Sequence, residues 1–140
     1  MNPTIAALAD RLAGFDALVE VGVGRRTDLA RALADAGARV TATDIHPRTV
    51  PAAVSFERDD LTAPDSRIYA GADAVYALNL PRELHRPARA VAREAGAAFL
   101  FTTLGNEFPA IDATPETLPG ETLYTVTTGG RTPAGERRRA

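Results

Sequence analysis

The stretch Ala17-Leu18-Val19-Glu20-Val21-Gly22-Val23-Gly24-Arg25-Arg26-Thr27 constrains the fold more tightly than any other part of the chain. A short apolar run closed by glycine has the pattern of a parallel strand that is buried on both faces and feeds a tight turn. Thr27 and Asp28 then cap a helix in which Leu29, Ala32 and Leu33 share one face, and Gly37 ends it. A second strand, Arg39-Val40-Thr41-Ala42-Thr43, stops at Asp44, twenty residues after Gly24. Glycines at such a turn let the backbone approach a ligand, and the helix start offers free N–H groups. An acid at the end of the next strand can accept hydrogen bonds from both hydroxyls of a ribose. In an open parallel sheet these groups converge on the carboxyl edge, so the pattern implies a site for a nucleoside-type ligand.

The rest of the chain repeats the alternation. Asn2 followed by Pro3 starts a helix, carried by Ile5, Leu8 and Leu12 over residues 3–13 and ended by Gly14. A third strand, Ala53 to Glu57, ends near Asp59 and Asp60, and the connection before it leaves room for a turn or two of helix, or none. A fourth strand, Ala72 to Leu78, is closed by Asn79-Leu80-Pro81, with a turn over 81–85 and a helix from Arg86 to Ala95 ended by Gly96. Ala98 to Thr103 is the fifth strand. A proline-containing loop then leads to a last one, Thr122 to Thr127. The fold predicted is α/β, Rossmann-like, with a mainly parallel open sheet of about six strands and helices on both faces. Residues 1–130 form the single domain, and 131–140, with Arg131, Arg137, Arg138 and Arg139, read as a disordered basic tail.

Composition removes several chemistries. There is no cysteine, and the only histidines, His46 and His85, are far apart in sequence, which argues against a structural zinc site and rules out a cysteine nucleophile. Every basic residue is arginine, so lysine Schiff-base chemistry is excluded. A net charge of −2 speaks against a nucleic-acid partner. No apolar stretch approaches the roughly 20 residues that span a bilayer, and the amino terminus lacks a basic segment followed by an apolar one. A cytoplasmic protein with no membrane partner is expected.

Glu20-Val21-Gly22-Val23-Gly24 resembles the first motif of class I S-adenosylmethionine-dependent methyltransferases. Asp44 resembles that family's ribose-binding acid, Asp60 its adenine-contacting acid, and Asn79-Leu80-Pro81 echoes its fourth-strand motif. Over its whole length the chain resembles uncharacterised protein family 0146, small archaeal Rossmann-like proteins of similar length and motif order. The resemblance to the methyltransferases implies S-adenosylmethionine as cofactor, with Glu20, Gly22, Gly24, Asp44 and Asp60 as the cofactor-binding set. The pattern also departs from both glycine fingerprints. Arg26 stands where the methyltransferase loop has its third glycine, and Thr27 where the dinucleotide loop has its last. Arg82 replaces the aromatic of the fourth-strand motif, which argues against methylation of nucleobase amino groups.

Three functional readings follow. The first is an adenosine-ligand domain of methyltransferase type with an unknown acceptor, in which one of Arg25 and Arg26 holds the methionine carboxylate. The second is an NAD(P)-binding protein that uses those arginines on a pyrophosphate. The third, favoured by the abbreviated carboxyl-terminal part, is a non-catalytic subunit that lends its surface to a protein partner or forms a homodimer. His46 beside Asp44, and Glu107 after the fifth strand, are further candidates for the crevice. His85 is expected to flank the helix that contains Pro87.

Overall fold

A computed structural model describes residues 1–105 and 107–126. The expected basic tail lies outside them, as does Thr127 of the last predicted strand. The elements run α1 (Pro3–Leu12), β1 (Ala17–Val21), α2 (Asp28–Asp35), β2 (Arg39–Asp44), β3 (Ser55–Arg58), α3 (Ser66–Tyr69) and β4 (Ala74–Leu80). A short 3-10 turn, Arg82–Leu84, leads into α4 (His85–Ala95), followed by β5 (Ala98–Thr103), β6 (Thr114–Leu118) and β7 (Glu121–Val126).

One seven-stranded sheet has the order β3-β2-β1-β4-β5-β7-β6. The first five strands in that order are parallel, and β7 and β6 add antiparallel to β5. The α/β, mainly parallel architecture is therefore as the sequence predicts, with one more strand than expected. That extra strand is β6, which falls where a loop was read. Pro115 hides it, because proline cannot donate to a ladder and is tolerated on edge strands. Edge strand β6 has a neighbour only in β7, where Pro115 faces Tyr124.

Strand β1 is buried along its whole length, which follows from its central place between β2 and β4. Successive side chains alternate between faces, so Leu18 joins Leu8, Leu12, Leu29 and Leu33 in one core layer. Val19 and Val21 point the other way, into a layer with Val75, Phe99, Phe101 and Val91. The carboxylate of Asp73 fixes the start of β1, its Oδ2 accepting from the Asp16 and Ala17 N–H groups at 3.2 and 3.1 Å.

The helix signals are realised unequally. The Asn2 side chain accepts from the Ile5 N–H at 2.7 Å, so the cap read from Asn2-Pro3 is present. Thr27 stands at the cap position of α2, yet its side chain makes no capping bond, and this part of the expectation is corrected. No helix joins β2 to β3, and α3 is a single turn that the sequence reading did not place.

His85 does more than flank its helix. It is fully buried, its ring 4.7 Å from that of Phe101. The Ala110 N–H donates to Nδ1 at 3.0 Å, so Nε2 carries the proton and donates to the Leu80 carbonyl at 2.9 Å. One side chain thus ties the β5–β6 connection to the end of β4, and the Arg82 guanidinium adds a hydrogen bond to the Phe108 carbonyl. Replacing His85 by alanine leaves a buried carbonyl and an N–H without partners and opens a void beside Phe101. A loss of about 3 kcal/mol is expected. Urea unfolding of His85→Ala measures it, and faster hydrogen exchange at Ala110 localises it.

Candidate functional site

The strand order reverses direction at β1. From this strand the chain moves through α2 to β2 on one side, and later to β4 on the other. Loops leaving the carboxyl ends of the two strands therefore part, and an open sheet of this kind has its ligand crevice at that point. Here the crevice is a cleft of about 500 Å³ lined by Glu20, Gly22, Val23, Gly24, Arg25, Arg26, Arg48, Leu78 and Asn79.

The glycines shape its wall. Gly22 and Gly24 have φ of +68° and +59°, a left-handed backbone that other residues enter at a cost of about 1–2 kcal/mol. A Cβ on either would meet no protein atom within 4 Å. Glycine is thus favoured by conformation, and not by crowding inside the chain. The loop is laced to the end of β2: the Val23 N–H donates to the Thr43 carbonyl at 2.9 Å, and the Thr43 hydroxyl to the Glu20 carbonyl at 3.0 Å.

Asp44 completes this lacing. Its Oδ2 accepts from the Gly24 N–H at 2.9 Å and lies 3.3 Å from Arg48 Nε, while Oδ1 accepts from the His46 N–H at 3.0 Å. Burial alone would raise this carboxyl. The His46 and Gly24 N–H groups and Arg48 outweigh burial and hold it below the ordinary aspartate range. An exposed acid would contribute little to the fold; Asp44 is only 7 % exposed. It is a brace for the glycine loop.

Glu20 is treated in the opposite way. The β1–β4 register sets it directly across from Tyr76, and the Tyr76 hydroxyl donates to Oε1 at 2.7 Å. Desolvation dominates this single bond and pushes the Glu20 carboxyl up to about 7. Burial, reinforced by the neighbouring Glu20, holds the Tyr76 phenol well above its ordinary value.

The remaining candidates separate. Asp60 does not line the cleft; it is exposed at the end of β3, its Oδ1 accepting from the Thr62 N–H and hydroxyl. Its neighbour Asp59 is structural, taking the Tyr69 hydroxyl at 2.6 Å and the Asp65 N–H at 2.9 Å. His46 is exposed beside Asp44. Glu107 faces a second hollow on the same edge of the sheet, with Thr103, Phe108 and Tyr124. Both Arg25 and Arg26 line the cleft, where one was expected. Asn79, read as closing the fourth strand after Leu78, lies within β4 at φ +53° and beside a register shift. Asparagine tolerates this conformation, and the irregularity aims it into the cleft. Arg48 and Tyr76 were missed: Arg48 sits in a loop without a motif, and Tyr76 reads as an ordinary core aromatic.

Strand order, cleft position and glycine loop define a Rossmann-like domain with the fold of S-adenosylmethionine-dependent methyltransferases. An RNA methyltransferase from Salinibacter ruber, crystallised with S-adenosyl-L-homocysteine, superposes with a TM-score of 0.60 at 24 % identity, covering 92 % of this chain and 90 % of its own. A SAM-dependent O-methyltransferase from Thermotoga maritima gives a TM-score of 0.60 at 14 % identity, over 89 % of this chain and 64 % of its own. The chain itself belongs to an uncharacterised protein family, UPF0146, which matches residues 2–125. A UPF0146 protein of Halobacterium salinarum is 48 % identical over 127 residues, 91 % of each chain.

Two outcomes test this geometry. Glu20 binds a proton more tightly in the folded chain than in the unfolded one, whose carboxyl keeps the ordinary value of 4.5. Its contribution to stability is thus complete below pH 4.5 and is lost as pH rises to about 7, an amount of about 3 kcal/mol. Thermal unfolding of Glu20→Gln is expected to lose this downward slope and to exceed the parent in stability at pH 8. Asp44→Ala removes the acceptor of two backbone N–H groups and is expected to cost about 2–3 kcal/mol in urea unfolding.

Proposed function

We propose that this chain binds S-adenosylmethionine, or a closely related adenosine ligand, in the β1–β4 cleft. The observation that carries the reading is the left-handed glycine loop, held by Asp44, opening onto a cleft whose floor is the buried carboxyl of Glu20. Gly22 and Gly24 admit the ligand close to the backbone. Glu20 takes the ammonium of the methionine moiety, directly or through water. Asp44 Oδ1 keeps a lone pair for a ribose hydroxyl beside the His46 N–H. Asp60 lies outside the cleft lining, so an adenine amino group reaches its free Oδ2 only where the ligand extends beyond the cleft to the end of β3. The relatives' fold and the bound S-adenosylhomocysteine of the Salinibacter enzyme support this assignment. Methyl transfer would need little from the protein beyond holding an acceptor in line with the sulfonium carbon.

A nicotinamide dinucleotide is the competing ligand, because three arginines line the cleft. Calorimetric titration separates the two. The parent is expected to bind S-adenosylhomocysteine and to ignore NADP. Because the ligand ammonium requires ionised Glu20, affinity is expected to rise with pH up to about 7, by at most about tenfold per unit, and to level off above it. Gly22→Val sets a β-branched residue at positive φ and projects it into the cleft, so binding is expected to disappear, with a smaller effect from Gly24→Ala. Tight NADP binding by the parent, or unchanged affinity in Gly22→Val, would overturn the assignment.

A further inference from the structure

Arg25 and Arg26 open the segment after the glycine loop and both line the cleft. Ion pairs among the described residues join Arg11 to Glu116, Arg48 to Asp44 and Arg67 to Asp65, and neither Arg25 nor Arg26 takes part in one. Arg48, the third guanidinium of the cleft, is neutralised by Asp44 at 3.3 Å. The acid that lines the cleft, Glu20, accepts the Tyr76 hydroxyl and pairs with neither arginine. Two positive charges, both on exposed side chains, therefore stand without an ion-pair partner at the mouth of one concave site.

S-adenosylmethionine does not explain them. It carries an ammonium, a sulfonium and one carboxylate, so it is a net cation, and its carboxylate neutralises the charge of one guanidinium only. Two guanidiniums match a doubly charged anion. A phosphate monoester has that charge near neutral pH, and its oxygens suit the planar fork of N–H donors that arginine presents.

We propose that Arg25 and Arg26 form an anion subsite that holds a phosphate monoester beside the adenosine ligand, so that the two occupy the cleft together. This rests on the adenosine reading of the cleft. The dianion cancels the charge that would otherwise repel the cationic cofactor. The second ligand is thus a small phosphorylated molecule, and the cleft selects it by charge and not by an aromatic platform, since among the described residues no aromatic side chain lines it.

The test titrates the full chain with glycerol 3-phosphate and with inorganic phosphate at constant ionic strength, with and without saturating S-adenosylhomocysteine, following phosphorus resonances and heats. Phosphate is expected to bind the parent, to bind at least as well when S-adenosylhomocysteine is present, and to weaken steeply with chloride. Affinity is expected to fall tenfold or more in Arg25→Gln/Arg26→Gln and by a smaller factor in each single variant. Arg31→Gln/Arg93→Gln, which removes the same charge from the helices, is expected to change nothing. Stronger binding of the ester identifies an organic phosphate as the occupant, and equal binding the free ion. No phosphate binding by the parent, equal losses in the two double variants, or displacement of S-adenosylhomocysteine by phosphate would each overturn the subsite. Arginine-dependent phosphate binding in a protein that ignores S-adenosylhomocysteine would leave the subsite standing and overturn the adenosine reading instead.

Discussion

Strand β1 is hydrogen-bonded along both edges and covered on both faces, and the cleft is a consequence of where that strand stops. A central strand cannot leave the sheet gradually, because its neighbours β2 and β4 continue past it on either side. The chain escapes by taking up left-handed backbone at Gly22 and Gly24. The N–H groups exposed by that escape are captured from β2, by the Thr43 carbonyl and by the Asp44 carboxylate. The loop is thus anchored on the β2 side and left open towards β4. An asymmetric anchor of this kind preorganises a ligand wall without filling the space in front of it.

Glu20, which lines the cleft, and Asp44, which braces its glycine loop, show how environment sets ionisation. Asp44 and Glu20 are both buried, 7 % and 2 % exposed. Asp44 accepts two backbone N–H groups and lies beside a guanidinium, so it stays charged in spite of burial. Glu20 has one phenolic donor, and desolvation prevails. One acid is a permanent charge that braces the loop. The other, raised to about 7 by burial, changes protonation near neutral pH. Reversing their neighbours would leave the glycine loop without its anionic acceptor.

Beyond β5 the chain closes its sheet economically. An antiparallel hairpin, β6–β7, takes the place of further crossovers, and the connection into it is pinned by His85. That pin lies against Phe101, whose other neighbours Phe99 and Tyr124 continue the aromatic stack into β7. The hollow containing Glu107 and Phe108 lies on the same edge of the sheet as the cleft, and the His85 and Arg82 bonds fix its border. No helix among the described residues is long and apolar enough to cross a membrane.

By itself, the sequence determined the features encoded within one element and its ends. The apolar run ending at Gly22, the Asn2 cap and the left-handed Gly96 after α4 are local patterns, and each recurs in the structure as read. The Rossmann-like class follows from their alternation, and Glu20, Gly22 and Gly24 belong to one contiguous stretch. Tertiary structure decided whatever depends on register and on distance across the sheet. Pairing of Glu20 with Tyr76 requires the β1–β4 register, which no pattern within either strand contains. Arg48 enters the cleft through its contact with Asp44, and Asn79 through a register shift against β5. Strand β6 exists because β7 offers its edge, in spite of Pro115. Local preferences are written in a few adjacent residues, whereas burial and charge compensation are properties of groups that only the folded chain brings together.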